Sequence, residues 1–533
     1  MTDLMTAPAV PVAAGARAGS GRAMLALARV ESVRLLRHPF TLAALALFLL
    51  PWAYGLLTGS AGDFPVLHEA TVDMQLLGLF ALGSGALMTA NLAMLRGQRH
   101  HTEELDATLV LPRPWRVGAV LLALLPYALL ITLVLGVRLG ELALRPGAVG
   151  RPDPAELLLT PAVAVLFGAV GVLVAVALRS AMWGPLILMA LLTGVLAASI
   201  AGAEGALWVL RLTPITPDLD EYSVPRSLVD RTPGWHLLYV LGLLAVAAGA
   251  ALARSGGRRL LVPLAVVAAL TAGAGAAQFR GDPALDRRRA DVTRDPAAVE
   301  TCRQLGAVQY CAIGEFARWI PAWDEVVRGV LRPAPSIAGP PLVVRQRIWL
   351  TGRPANGGGA YAGDARQDED RLRVWSAADA AAGHAGAVLV GSAWRSDADA
   401  ATLAANVAFR VLTGAALTTQ MPICGSRGAL LVWLVGQATP GTAKGLRMLD
   451  EQSSGALAFA DMSLLTSTMV PDREATPALA LLSRPASEVA ALVRRNWGEL
   501  ADPATSLERF GDLLGVAVPA APPAEERTVC GGN

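Results

Sequence analysis

The sequence predicts a polytopic α-helical membrane protein of about seven transmembrane helices, followed by a C-terminal mixed α/β extracytoplasmic domain. Three observations carry that prediction. The chain has 533 residues, 54% hydrophobic and 17% charged, with a mean hydropathy of +0.47. That is too apolar for a soluble globule and too long for one domain. Its apolar residues gather, over the first 280 positions, into runs close to the roughly 20 residues that cross a bilayer. All four cysteines, Cys302, Cys311, Cys424 and Cys530, come after those runs. An even number confined to one region suits an oxidising compartment, and four buried free thiols in a cytosolic domain are the alternative. The net charge of +2 gives no reason to expect a nucleic-acid partner, whereas the apolar runs imply membrane lipid.

The expected organisation is a leader over 1–20, a transmembrane domain over 21–280, a linker over 281–300 and an α/β domain over 301–533. The leader is Ala-, Pro- and Gly-rich and reads as disordered. No short apolar core with a small-residue cleavage site stands near the start, so no cleavable signal peptide is expected. From Gly21 to His38 the pattern is helical. Met24, Leu25, Ala28, Leu35 and Leu36 share an arc, and Arg22, Arg29, Arg34 and Arg37 fall mostly opposite. This reads as a basic interfacial helix in the headgroup layer, with a helix lying on another protein surface as the alternative. Pro39 then breaks it into the first span.

Seven spans are expected, at 40–58, 74–95, 117–137, 157–178, 181–202, 236–253 and 260–278. Arginine dominates the leader helix, the 179 turn and the 254–259 turn, and it flanks the 96–116 loop. The 59–73 loop has acids and no arginine, and the 138–156 and 203–235 loops mix both signs. The positive-inside rule therefore puts the N-terminus and the 96–116 loop in the cytoplasm. An odd number of spans then puts everything beyond about Gln278 outside, although Arg287, Arg288 and Arg289 oppose that orientation. The seven runs contain no Asp, Glu, Lys or Arg, which argues against proton-coupled carriers, voltage sensors and channels with charged rings. Gln75, Thr89 and Asn91 are expected to bond between helices, and Gly78, Gly83 and Gly85 to mark close packing.

Beyond the spans, Arg280 to Asp295 reads as a charged linker. Strands are expected at Ala307–Ile313, Pro341–Leu350, Arg371–Ser376 and Gly386–Gly391. Helices are expected at Gly314–Arg332, kinked by Pro321, and at Asp397–Gly414 and Ser487–Leu500. Gly352–Asp370 reads as a loop, and Gly428–Gly436 is apolar but too short to span. Cys302 and Cys311 are nine apart beside a strand, so a local bridge is expected, which leaves Cys424 for Cys530.

No catalytic motif emerges. The region has one histidine, His384, with no H-E-x-x-H and no C-x-x-C, so no metal site is expected. Cys424 stands where a G-x-S-x-G elbow needs its first glycine. Gly436–Gly445, GQATPGTAKG, fails as a phosphate loop because Thr442 and Ala443 follow Gly441 and Lys444 comes late. Neither catalysis nor a directly bound cofactor is expected of this chain.

The 96–116 segment, RGQRHHTEELDATLVLPRPWR, lies between the second and third spans. Thr102 caps an expected short helix, Glu103 and Glu104 suit its positive end, and Leu105 and Leu109 share a face. Pro112 and Pro114 are expected to stop it. It reads either as a docking element or as a solvated loop whose arginines only set topology. The helix ARVESVRLLRHP running into a first span resembles ABC-2-type exporter permeases of actinobacteria. So does Arg96-Gly97-Gln98-Arg99, then Thr102-Glu103-Glu104-Leu105, closed by Leu111-Pro112-Arg113-Pro114. The resemblance covers about the first 280 residues. It implies that Arg99, Glu103, Glu104, Leu105 and Leu109 form the coupling face for a separate ABC ATPase subunit, which supplies ATP turnover. It also implies a second permease copy, in a homo- or heterodimer. Six spans are usual in that family, so a seventh is a departure. The tail, with Val308-Gln309-Tyr310-Cys311 before a Trp-bearing helix, looks like tails on such permeases. Some relatives carry a zinc-aminopeptidase-like tail, and here any such domain would have lost its metal. The rival readings are a polytopic anchor for an external binding or sensing domain, and a membrane-bound enzyme using that domain.

Overall fold

The computed structural model describes residues 15–58, 64–100, 111–203, 206–216, 223–335, 341–350, 365–417, 420–461, 463–464, 466–520 and 530. Among them, six helices are long and apolar enough to cross a membrane: Pro39–Thr58, Leu67–Met94, Arg113–Ala143, Pro154–Leu178, Trp183–Gly202 and Pro233–Arg254. The expected seventh span is corrected to a shorter apolar helix, Leu261–Ala277, of 17 residues. At 1.5 Å per residue it is about 26 Å long, less than the roughly 30 Å hydrocarbon core. It still runs back along the sixth span. Thr271 lies against Gly242, and Gln278 Oε1 meets His236 Nδ1 at 2.7 Å. Its far end therefore returns to the level where the sixth span began.

Two faces result. On one, Met24 of the first helix packs on Gly118, Pro114 lies near Gly256, and Arg96 pairs with Glu31 at 2.9 Å. On the other, Val149 accepts from Leu67 N and Val224 O meets His68 Nε2, at 2.9 and 2.8 Å. The tail docks on this second face.

The second and third helices, 28 and 31 residues long, are about 42 and 46 Å, enough to cross the headgroup layers as well. The expectation of charge-free spans is corrected accordingly. The apolar runs are uncharged, but the helices begin or end a turn or two beyond them, and those turns carry Glu69, Asp73, Arg138, Glu141 and Glu156. The second helix passes through one π turn, Leu79–Gly83. The third breaks between Leu122 and Leu125, where Pro126 opens the second half. The polar residues bond across helices: Thr89 to Thr41 at 3.1 Å, Asn91 to Gly171 O at 3.2 Å and Gln75 to Glu156 O at 3.3 Å. Gly78, Gly83 and Gly85 lie against Thr160, Phe167 and Ala44, where a Cβ would crowd each neighbour.

The first helix runs Gly15–Leu36 and so begins inside the expected leader. Its buried side is Ala28, Glu31, Ser32 and Leu35, whereas Leu25 is 61% exposed. Arg22, Arg29, Arg34 and Arg37 are exposed. The packed stripe is turned from the apolar arc because Glu31 is held inward by Arg34 and Arg96, each at 2.9 Å. Pro112 and Pro114 stand at the start of a helix, Arg113–Leu122, and the expected helix that they were to stop lies outside the described residues. A first-turn proline gives up an N–H that has no helical acceptor in any case.

In the tail, β1 (Glu300–Leu305), β2 (Val308–Ile313), β3 (Leu342–Gln346) and β4 (Val388–Val390) form one sheet in that order. The first pair is antiparallel and the other two are parallel. A second sheet has the order β5 (Gln420–Pro422), β7 (Thr466–Pro471), β6 (Ala456–Asp461). Cys302 and Cys311 face each other across β1 and β2 and are bonded, and Cys424 is bonded to Cys530. The expected strand at Arg371–Ser376 is corrected to part of a helix, Ala365–Ala381. Leu372 and Trp375, three apart, are buried while Val374 is exposed, which is helical and not alternating spacing. The expected linker contains a helix, Pro283–Arg294, capped by Asp282, with Leu285, Val292 and Thr293 buried. Gly428–Gly436 lies inside the core helix Gly425–Ala438. Gly436–Gly445 is a corner between two helices, with Thr439 making a capping box and Lys444 paired to Asp397 at 2.9 Å.

Candidate functional site at the junction of spans and tail

The first turn of the second span is polar and buried: His68 is 2% exposed and Glu69 7%. A bare carboxylate at that depth would be costly unless bonded. Glu69 accepts from Ser223 Oγ at 2.9 Å, from Val224 N at 3.1 Å and from Arg395 Nη2 of the tail at 2.5 Å. Arg395 also reaches Ser223 Oγ at 2.9 Å. One tail guanidinium thus closes a ring with the second span and the 223–229 segment. Behind it, Arg231 and Glu156, both almost fully buried, pair at 3.4 Å, and Thr71 donates to Glu156 at 3.1 Å.

A second contact comes from the turn after β2. Trp319 Nε1 donates to Gly147 O at 2.9 Å and Arg318 to Ala148 O at 3.3 Å. Glu315 accepts from Arg226 N at 2.8 Å and lies 3.8 Å from His68 Nδ1. Burial pushes the Glu315 carboxyl above its usual range, against the pull of Arg226 and Arg151. Gly150, at φ +76°, passes between His68 and Glu315 where a side chain would meet both. Val66, Val149, Val224 and Leu228 share one core with Trp319, Trp323 and Trp394 of the tail. Phe64 meets Trp394 edge-on at 5.6 Å. The tail is therefore clamped to the second span by both core packing and ion pairs.

At the opposite end of the same span, Arg99 closes a single turn, Arg96–Arg99. With Arg34, His38, Arg96 and His100 it lines a cavity of about 120 Å³. Burial and the nearby Arg96 and Arg99 charges hold the His38 imidazole below its usual pKa. Thr102, Glu103, Glu104, Leu105 and Leu109 lie outside the described residues. Arg22, Arg29 and Arg34 lie on the first helix and Arg37 in the turn just after it, away from the junction. The four cysteines brace the tail and take no part in the clamp.

Among the described residues, the one grouping with metal-ligand spacing is Glu300, Cys302 and Cys311, and its cysteines are joined to each other. The sequence reading missed Glu69, Glu315, Arg395 and Glu31. In the sequence Glu69 reads only as loop charge, and a run of apolar residues preceded by His-Glu-x-x-x-Asp, with Glu69 and Asp73 four apart, is the one local signal that places it on the helix. No family, curated protein or solved structure matches this chain, and its geometry is that of a polytopic helical membrane protein with six long apolar helices and a C-terminal mixed α/β domain.

Proposed function

We propose that the chain is the membrane-spanning permease subunit of an ABC exporter, working as a dimer with a separate ATPase subunit that supplies the energy. The observation that carries this reading is the second span. It is one helix from the tail clamp at Glu69 to Asn91, and its end leads straight into the 96–116 segment. A push on that segment would move a rod whose other end holds the tail. The uncharged middle of the spans fits rocking between two access states more than ion conduction. In this reading the 96–116 segment is the coupling element, the N-terminus is cytoplasmic and the tail is extracellular. Two disulfides in the tail support that orientation. The chain itself contributes no catalytic group, and it binds no cofactor directly.

The test is to copurify Glu103→Arg/Glu104→Arg with the candidate ATPase subunit and to measure stimulated ATP turnover. Placing like charge at a helix's positive end costs about 0.3–1 kcal/mol per residue, too little to prevent insertion. Docking and stimulation are expected to be lost while the protein level holds. Unchanged binding and turnover would favour the second reading, an anchor for an external binding or sensing domain. The core shared by tail and loops supports that second reading too.

A further inference from the structure

The span ends and loops on the tail face carry six arginines, Arg138, Arg145, Arg151, Arg211, Arg226 and Arg231. Five hold carboxylates: Arg138 and Arg145 on Glu141, Arg211 on Asp230, Arg226 on Asp153 and Arg231 on Glu156. Such pairing is what an acid-rich loop does with its cations. Arg151 is the exception among the described residues, with no carboxylate within ion-pair distance, and it is exposed. It stands at a cavity of about 590 Å³ between bundle and tail, a volume in the range of small-molecule sites. Arg226 and Arg318 line the same cavity, against one lining carboxylate, Glu315. Arg318 spends one donor on Ala148 O, and Arg226 is fixed by Asp153 at 2.6 Å and by Arg151 O at 2.7 Å. Two guanidiniums without acid partners and a third held rigidly beside them form a receptor for an anion with several oxygens, as a phosphate has.

The height of the cavity decides which phosphate. Its wall includes Leu67, the first residue of the second span, and Ala143, the last of the third. Those two ends mark the headgroup layer. Beside it, Val137 and Leu144 are 62% and 87% exposed, an apolar surface that acyl chains would cover. We propose that this cavity binds the phosphate of an anionic phospholipid headgroup in the leaflet that faces the tail. The lipid would wedge bundle and tail together beside the Glu315–Arg226 contact. This inference goes beyond the transport reading and does not depend on it.

The test uses the full chain purified from vesicles of phosphatidylcholine doped with phosphatidylglycerol, with lipid retention read by mass spectrometry. Wild type is expected to retain phosphatidylglycerol over phosphatidylcholine. Arg151→Ala should lower that retention about five-fold and Arg151→Glu further, since one basic residue at an anionic surface accounts for about that factor. Arg151→Lys should restore most of it. Because Arg151 holds no ion pair, thermal unfolding in detergent should be the same for all four proteins. Equal retention by wild type and Arg151→Glu would overturn the proposal, as would equal retention of the two lipids. Titration with inorganic phosphate forms the second arm. Full displacement of phosphatidylglycerol by millimolar phosphate would assign the site to a soluble anion and overturn the lipid assignment.

Discussion

Arg395 and Glu69 come together from 326 positions apart, and their pair is lopsided: the arginine is half exposed and the acid buried. Removing the guanidinium leaves Glu69 with Ser223 and Val224 as donors, so the loss should be modest. Arg395→Ala is expected to cost about 1–2 kcal/mol, read as faster hydrogen exchange over 64–69 and 223–229. Exchange unchanged there would mean that core packing alone holds the clamp. Arg345 is the opposite case. It is buried on β3 and takes Glu300 at 2.7 Å, Asp379 at 2.6 Å and Asp295 at 3.0 Å. Arg345→Met would leave the buried Glu300 without its cation, while Asp379 keeps Arg347 at 2.6 Å; a loss of about 3–5 kcal/mol is expected, visible as a large fall in the tail's melting temperature. Glu315 gives a pH signature. Its carboxyl is raised in the folded state, so the native form binds more protons than the unfolded one between the ordinary carboxylate pKa and the raised value. Stability must therefore fall as pH rises through that window. Glu315→Gln keeps an acceptor for Arg226 N but cannot titrate. The wild type should lose stability relative to this variant as pH rises above the ordinary carboxylate range of about 4, and parallel melting temperatures of the two proteins through that rise would exclude Glu315 as the titrating group.

At the scale of elements, the second and fourth spans set the bundle. Gly171 lies so close to the Leu87 backbone carbonyl that a Cβ would collide with it. A backbone atom in a helix cannot swing away as a side chain can. Gly171→Val should therefore cost about 1–3 kcal/mol or more. Gly194→Val, in the fifth span with open space around it, should leave the protein intact. Comparable yield and thermal stability for the two variants in detergent would contradict this packing. The clamp depends on the same element, because a second span of 28 residues exceeds what the hydrocarbon needs and carries Glu69 out to meet the tail.

For the whole molecule, the decisive property is which side the tail occupies. Its cysteines are all bonded, so introduced thiols can be read against a low background. A membrane-impermeant thiol label on intact cells should reach a cysteine placed at the exposed Ala382 and miss one at Gly97. The reverse pattern would invert the orientation and with it the coupling proposal. The bridge of Cys424 to Cys530 closes 106 residues. Reducing a bridge of this kind removes about 2–4 kcal/mol, and mass mapping of the unreduced protein should recover both pairs.

The sequence by itself determined the membrane character, the places of six long spans and the existence of a mixed α/β tail. It also picked out the helix-bonding roles of Gln75, Thr89 and Asn91. Hydropathy, span length and the cost of an unbonded polar group in lipid are local properties, legible without a fold. Only the tertiary structure decided the rest. The apolar run stops at Met74, but the helix does not, because Glu69 finds Ser223, Val224 and Arg395 only once distant segments converge. Arg371 to Val374 alternates polar and apolar and the segment to Ser376 reads as a strand, yet Leu372 and Trp375 are buried together on a helix. Arg151 looks like any loop arginine until the other five are seen holding acids. Pairing across hundreds of residues leaves no local pattern, and for that reason the junction and its cavity were not legible in the chain alone.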